Sequence, residues 1–348
     1  MVTIHELGHF LLARKFGVKV EEFGIGIPPK IIGKKIGETI YSLNLLPLGA
    51  FVKLQGEEEK VDESTSFSEK PIWQRAMIVL GGVVTFWIIA IILISIIAGV
   101  WGIPMAIEDS NEGFSNPEVQ ITAIAEGSPA EKSGLKIEDI IQGIKSQDSE
   151  LKTTKVKEVI DFTDAHLGKE IILTIKRGRE ILNISLIPRQ NPPKGEGAMG
   201  VALARVVLKN YNWYEAIIEG FSTTKNVTVY TIATLGDIIS KAVRGEPIPK
   251  GQIEFKGIVG VSQIMVQTLE RGASDYLWLL SMISIFLAIF NSLPIPALDG
   301  GKILFLGIEK LRRKPISQKT EQNITTFFFI LLIALSILIT IKDIRKMF

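Results

Sequence analysis

Three stretches of this chain carry no charged residue over the length of a bilayer. The first runs from Ala76 to Ile107 and contains VVTFWIIAIILISIIAGVW. The second runs from Tyr276 to Leu298 around LWLLSMISIFLAIF, and the third from Ile324 to Ile341. A helix needs roughly 20 apolar residues to cross the hydrocarbon layer. Basic residues flank the runs, among them Arg75 and Lys342. The pattern predicts a multi-span α-helical membrane protein rather than buried helices of a soluble one.

Between the runs the pattern changes period. From Val18 to Leu54, Gly24, Gly26, Pro28, Pro29, Gly33 and Gly37 cut the chain into short pieces. TIYSLNLL and AFVKL read as strands joined by a Pro47-Leu48-Gly49 turn. A small membrane-associated β-sheet is expected over 18–56. It is either an ordinary hairpin or an exposed edge that holds an extended peptide by backbone pairing.

Asn116 to Arg189 has charges at ordinary density and alternating runs (VQITAI, DIIQGI, EIILTIK, ILNISLI). Ser128 is placed to cap a short helix with Pro129 in its first turn. These features predict an inserted α+β module over 116–190. Pro192, Pro193, Gly195 and Gly197 read as a linker. Tyr211 to Val243 reads as helical. With Tyr211, Trp213 and Tyr214 at its start, it is expected to lie on the membrane surface, a further span being the alternative.

The expected organisation is a short helix at 1–17, the sheet at 18–56, and a polar loop at 57–75. A span at 76–107 leads to the module at 116–190, then linker and interfacial helices at 191–275. A span at 276–301, a cytoplasmic loop at 302–323 and a span at 324–341 complete it. The helix at 1–17 is too short to cross a bilayer and is expected to continue upstream of Met1.

Composition narrows the chemistry. The 348 residues carry a formal net charge of +2, which gives no nucleic-acid signature. No cysteine is present, so any metal must be held by His, Asp or Glu. Two of the three histidines, His5 and His9, stand four apart in His5-Glu6-Leu7-Gly8-His9. On a helix that spacing puts both imidazoles on one face, able to share a metal ion. Glu6 is placed to take a proton from a metal-activated water. His166 lies in a polar stretch and reads as a surface histidine.

Asp299 is the other candidate. The second long run ends in Asn291-Ser-Leu-Pro-Ile-Pro-Ala-Leu-Asp299-Gly-Gly301, where two prolines break the helix. An ionisable group at the edge of an apolar run is a functional-site hypothesis by default. The plain alternative is a polar turn. A His/His pair lacking a third ligand favours the functional one. Arg14 and Lys15 follow the His pair, and Lys310 to Lys314 follow Asp299, which puts both on the cytoplasmic side. One conflict remains: alternating spans put the C-terminus outside, yet Lys342, Arg345 and Lys346 are basic.

These residues together resemble the site-2 protease family of intramembrane zinc metalloproteases, in its bacterial form with one inserted PDZ domain. His5 to His9 is similar to the family's HExxH. Ala297 to Gly301 (ALDGG) is similar to its LDG signature, preceded by the N-x-L-P-I-P run from Asn291. LLPLGAFVKL resembles its membrane-reentrant β element, and GSPAEKSGLKIEDII a PDZ turn, helix and strand. The family's Gly-Pro and Asn early in the second span stand here as Gly82 and Thr85. Its Gly-Pro-x-Gly stands as Gly257-Ile258-Val259-Gly260.

The resemblance implies Zn2+ held by His5, His9 and Asp299, with Glu6 as general base. It implies that Asn291, Tyr41, Ser42, Leu43, Asn44 and Leu45 contact substrate backbone. The implied substrate is a transmembrane protein already trimmed by another protease, such as an anti-sigma factor or a remnant signal peptide. The implied location is the bacterial inner membrane, with the active site toward the cytoplasm and the PDZ domain outside. A catalytically idle membrane scaffold that binds peptide ends is the competing reading. It predicts no stoichiometric zinc.

Overall fold

A computed structural model describes residues 1–57, 61–147, 149–178, 180–247 and 256–345. The expected loop at 58–60 and the basic Lys346 lie outside the described residues. The chain divides into two compact units, Met1–Ile96 with Glu215–Phe348, and Ile97–Tyr214.

The first unit is mostly helical. Helices α1 (Val2–Lys15), α2 (Ile72–Val100), α5 (Trp213–Arg244), α6 (Ile258–Arg271), α7 (Ala273–Ser292), α8 (Asp299–Arg312) and α9 (Gln318–Arg345) belong to it. Among the described residues α2, α7 and α9 are long and apolar enough to cross a membrane. Two of them, α2 and α7, stop short of their expected limits. The first apolar run extends to Ile107, but α2 ends at Val100. Gly102, at φ 84°, turns the chain, and Ile103–Ile107 becomes a strand (β3). Glycine alone takes that conformation without strain. The second span is expected to reach 301, but α7 stops at Ser292, before Pro294 and Pro296. Neither proline can donate a helix hydrogen bond.

The segment 302–323, expected as a loop, is helical up to Arg312 and again from Gln318. Its apolar residues Phe305 and Leu306 are buried against the unit. A short apolar stripe hidden among Lys and Arg gave the sequence pattern too little contrast.

Strands β1 (Val20–Ile36) and β2 (Thr39–Leu54) form the expected small sheet. The turn expected at 47–49 does not interrupt β2, which runs through it. The ribbon is antiparallel and bends on itself through register shifts. Phe23 has two partners, Val52 and Tyr41, while Tyr41 also pairs Lys34. Ser42 likewise pairs Gly24 and Gly33, and Leu43 pairs Ile25 and Ile32. Tyr41 to Leu43 therefore have both backbone edges in use, whereas Ala50 to Leu54 pair β1 on one side only. A local alternation cannot show this, because long-range pairing decides which strand ends at an edge.

The second unit is a seven-stranded sheet with two short helices. Its strands are β3, β4 (Glu118–Ile124), β5 (Ile140–Lys145), β6 (Glu150–Lys152), β7 (Ile171–Arg177), β8 (Glu180–Leu186) and β9 (Val201–Lys209). The order is β3-β9-β4-β5-β7-β8, with β6 against β5. The sheet thus reaches past both expected limits of 116 and 190. Residues 201–209, expected as linker, form a strand between β3 and β4.

Ser128 caps α3 (Pro129–Lys132), its hydroxyl accepting from the Glu131 N–H at 3.2 Å. With α4 (Val156–Ala165), this helix covers a core of Val119, Ile121, Ile141, Ile144, Ile171, Leu173 and Ile175.

One ion pair underlies this core. The Asp139 carboxylate is 1% exposed and accepts from Arg177 Nε and Nη2 at 2.7 Å each, and from the Lys136 N–H at 2.8 Å. Removing one partner of a buried pair leaves an uncompensated charge. Arg177→Ala is expected to destabilise this unit by about 3 kcal/mol. Hydrogen exchange of the β5 and β7 amides in the intact chain reads the effect, and wild-type protection would refute it.

Candidate metal centre

α1 buries one face, with His5, Gly8, His9, Phe10 and Ala13, and leaves Ile4, Leu7 and Leu11 exposed on the other. Its placement follows from glycines at a close crossing. A side chain at Gly8 would overlap the Gly81 carbonyl of α2, and one at Gly82 would overlap the His9 imidazole. The absence of Cβ atoms lets α1 lie backbone to backbone on α2. Gly82 is ten residues beyond Ile72 in a 29-residue helix. At 1.5 Å per residue this places the crossing about 15 Å along α2.

Each imidazole is oriented differently. His9 Nδ1 lies 2.9 Å from the Ile78 carbonyl. A carbonyl only accepts, so Nδ1 carries the hydrogen and Nε2 keeps a free lone pair, the tautomer a metal ligand requires. His5 stacks on Phe86, centroids 4.6 Å apart and planes 16° apart. Its Nδ1 is buried without a hydrogen-bond partner.

Asp299 comes from the far end of the chain. It opens α8, where a carboxylate is favoured by the helix N-terminus. Gly300 and Gly301 pack against the Leu293 and Ile295 carbonyls of the broken segment, with no room for side chains. Asp299 Oδ2 then lies 3.2 Å from His5 Nε2 and 3.5 Å from His9 Nε2, while the two Nε2 atoms are 3.3 Å apart. All three residues are largely buried.

This triangle can be tested against a metal. Zinc binds His nitrogen and carboxylate oxygen at about 2.0–2.2 Å in tetrahedral geometry, so its ligand atoms stand about 3.3–3.5 Å apart. The three observed separations match. The donors also fit on chemical grounds: two imidazole lone pairs and one carboxylate, with a fourth position left for water.

The structure brings His5 and His9, on one face of α1, together with the distant Asp299. Glu6 lines a cavity of about 1140 Å³ together with His9 and Asp299. Phe51, Val52 and Leu54, on the one-sided edge of β2, line it too. Lys302 lies one helical turn after Asp299 in the same wall, paired with Glu57. Desolvation pulls the Lys302 ammonium down, but the Glu57 carboxylate overrides this and raises it above the usual lysine range.

The other expected residues fare differently. Tyr41, Ser42 and Leu43 cannot offer a free strand edge, since β1 pairs them on both sides. Asn44 is buried and donates to the Ile25 and Gly26 carbonyls. Leu45 is exposed and, like the others, does not line the cavity. The edge that faces the site is Ala50–Leu54 instead. Asn291 donates its side-chain N–H to Leu287 in its own helix at 2.9 Å and is not part of the cavity wall. His166 stacks on Phe162 in the other unit.

Sequence reading missed the Ile78 carbonyl, because a main-chain acceptor leaves no residue-type signal. The Gly81-Gly82 pair reads as a place for close backbone approach, and α1 lies there.

Residues 1–335 match the model of peptidase family M50. A Clostridium perfringens protein with a provisional zinc-metalloprotease name is 33% identical over 347 residues, covering 99% of this chain and 95% of its own. The regulator of sigma-W protease RasP of Bacillus subtilis is 25% identical, covering 100% of this chain and 96% of its own. Zinc metalloprotease RasP of Geobacillus kaustophilus is 26% identical with the same two shares. Among solved structures, a PDZ domain from Listeria monocytogenes covers 27% of this chain and 93% of its own, at 18% identity and a TM-score of 0.22. That score assigns no fold.

Gly82→Ala is expected to push the His9 ring out of the triangle, since a rigid imidazole cannot yield as a flexible side chain can. Zinc per chain, measured on purified protein by elemental analysis, should fall from one to well below one half. Full occupancy in that variant would show that the crossing does not set the site.

Proposed function

Since the chain belongs to peptidase family M50, the site-2 proteases, and is a zinc metalloprotease, we propose that His5, His9 and Asp299 hold its zinc and that Glu6 is the general base. The observation that carries this is the triangle of Nε2, Nε2 and Oδ2 atoms at 3.2 to 3.5 Å, with Glu6 in the same cavity wall.

When bound, the metal supplies a Lewis acid that polarises the scissile carbonyl and acidifies a water. Everything else falls to the chain. Glu6 takes the proton of the attacking water and returns it to the leaving amine nitrogen, so one carboxylate serves as base and then acid. His9 is held in the correct tautomer by Ile78. The Phe86 ring and the α1–α2 contact keep bulk water from the back of the site.

We propose a transmembrane segment as substrate. The crossing of α1 with α2 lies well inside a helix of membrane-crossing length, so a peptide reaching Glu6 must do so at membrane depth. A helical substrate has its carbonyls bonded internally and must first unwind. The extended piece would then pair with the free edge at Ala50–Leu54.

The Bacillus subtilis relative is named as a sigma-W regulator, and by that likeness an anti-sigma factor, pre-cut by another protease, is a suitable substrate class. Remnant signal peptides are a second. The unit at Ile97–Tyr214 is read as a PDZ-type module outside the inner membrane, with the metal toward the cytoplasm. An idle scaffold has no use for three converged ligands and a neighbouring carboxylate.

Glu6→Gln tests the assignment. It is expected to keep one zinc per chain and to slow cleavage of a membrane-spanning reporter in proteoliposomes by at least about 100-fold, the scale of a lost general base. His5→Ala and Asp299→Asn should lose the metal itself. Cleavage by Glu6→Gln at the wild-type rate would overturn the role of Glu6.

A further inference from the structure

Asp299 is the first residue of α8, so the third ligand turns with that helix. The helix must hold its rotation closely. A carboxylate oxygen lies about 5 Å from a helix axis, and a 20° rotation moves it nearly 2 Å, about one zinc–oxygen bond length. Phe305 and Leu306 bury the apolar face of α8. Apolar contact is non-directional and supplies adhesion more than angle.

Two ion pairs supply direction. Glu309 of α8 accepts both arms of the Arg75 guanidinium from α2, Nη1 to Oε2 at 3.1 Å and Nη2 to Oε1 at 2.5 Å. Both side chains are more than four-fifths buried. Lys302 of α8 pairs with Glu57, which follows β2. At 100° per residue, Lys302 and Glu309 project within about 20° of one another, on the side of α8 next to Asp299. A two-bond fork between a planar guanidinium and a carboxylate fixes orientation as well as distance. The helix that carries the third ligand is thus clamped to α2, the same helix that seats His9.

We propose that Arg75 and Glu309, assisted by Lys302 and Glu57, are positioning residues that set the rotation of α8 and so hold Asp299 in ligand position. The proposal rests on the reading that His5, His9 and Asp299 hold the zinc. Arg75 and Glu309 line the same cavity wall as Glu6 and Asp299 but supply none of the ligand atoms. They act through the helix between them and the carboxylate, and their loss should appear first in metal affinity.

The test uses the full chain purified in detergent, with zinc competed by a chelator and Co2+ as a spectroscopic probe. Arg75→Ala and Glu309→Ala are each expected to weaken zinc by about tenfold or more, the scale of a lost supporting contact. Each should also shift the visible bands of the cobalt-loaded protein. The double variant should be no weaker than the worse single, because the two side chains act as one unit. Arg75→Lys, which keeps the charge and loses the fork, should fall between wild type and Arg75→Ala.

Wild-type zinc affinity with an unchanged cobalt spectrum in either alanine variant would overturn the proposal. So would losses that add in the double variant. So would a lower unfolding temperature of the metal-stripped variants with unchanged zinc affinity, the mark of a merely structural pair. Asp299→Asn separates this from failure of the site itself. If that variant keeps stoichiometric zinc, the ligand assignment is wrong. If it is zinc-free while Arg75→Ala binds as wild type does, only the clamp is wrong.

Discussion

A backbone contact inside the helical unit governs the rest. Gly8 of α1 lies on Gly81 of α2, and Gly82 lies under the His9 ring. Any Cβ at these positions would separate the helices by more than the tolerance of a metal site. In lipid, helices gain little from burying apolar surface against one another, so close packing at small residues sets their crossing. The same contact brings the Ile78 carbonyl to His9 Nδ1 and thereby selects the tautomer. Packing and ligand chemistry are settled by one pair of helices.

The second constraint is the break between α7 and α8. Pro294 and Pro296 end one helix and Asp299 opens the next, with Gly300 and Gly301 folded onto the freed carbonyls. Backbone groups freed by such a break must be satisfied by protein or by a wet cavity. Here Gly300 and Gly301 pack on the carbonyls of the break, and Asp299, which follows it, lines the cavity with Glu6 and His9. A carboxylate at the start of a helix, beside a cavity, is both stabilised and available. The ion pairs along α8 then relate it to α2 and to the end of β2.

The small sheet completes the enclosure in a way that reverses a simple expectation. Tyr41 to Leu43 are inner positions, paired on both sides, whereas Ala50 to Leu54 are paired with β1 on one side only and border the cavity that His9 and Asp299 line. Backbone addition needs unpaired N–H and C=O groups, so the location of the edge decides where a peptide can lie. The unit at Ile97–Tyr214 is a separate compact sheet with its own core, recruiting β3 and β9 from segments whose sequence reads as span and linker.

The candidate metal ligands were legible in the sequence because their chemistry is local. His5 and His9 declare themselves by helical spacing, Asp299 by standing after two prolines at the end of an apolar run, and the spans by length without charge. The end of α2 at Val100, the helix at 299–312 and the strand at 201–209 were not legible. In each, a neighbour distant in sequence decides the local conformation: β9 for Ile103–Ile107, the apolar wall over Phe305 and Leu306, and β3 with β4 for Val201–Lys209. The residue types that can hold zinc are thus written in the chain, whereas the 3.2 to 3.5 Å triangle and the free edge of β2 exist only after the helices cross and the strands choose their register. Spacing along a helix acts over a few residues; a meeting between residues 9 and 299 is a product of packing.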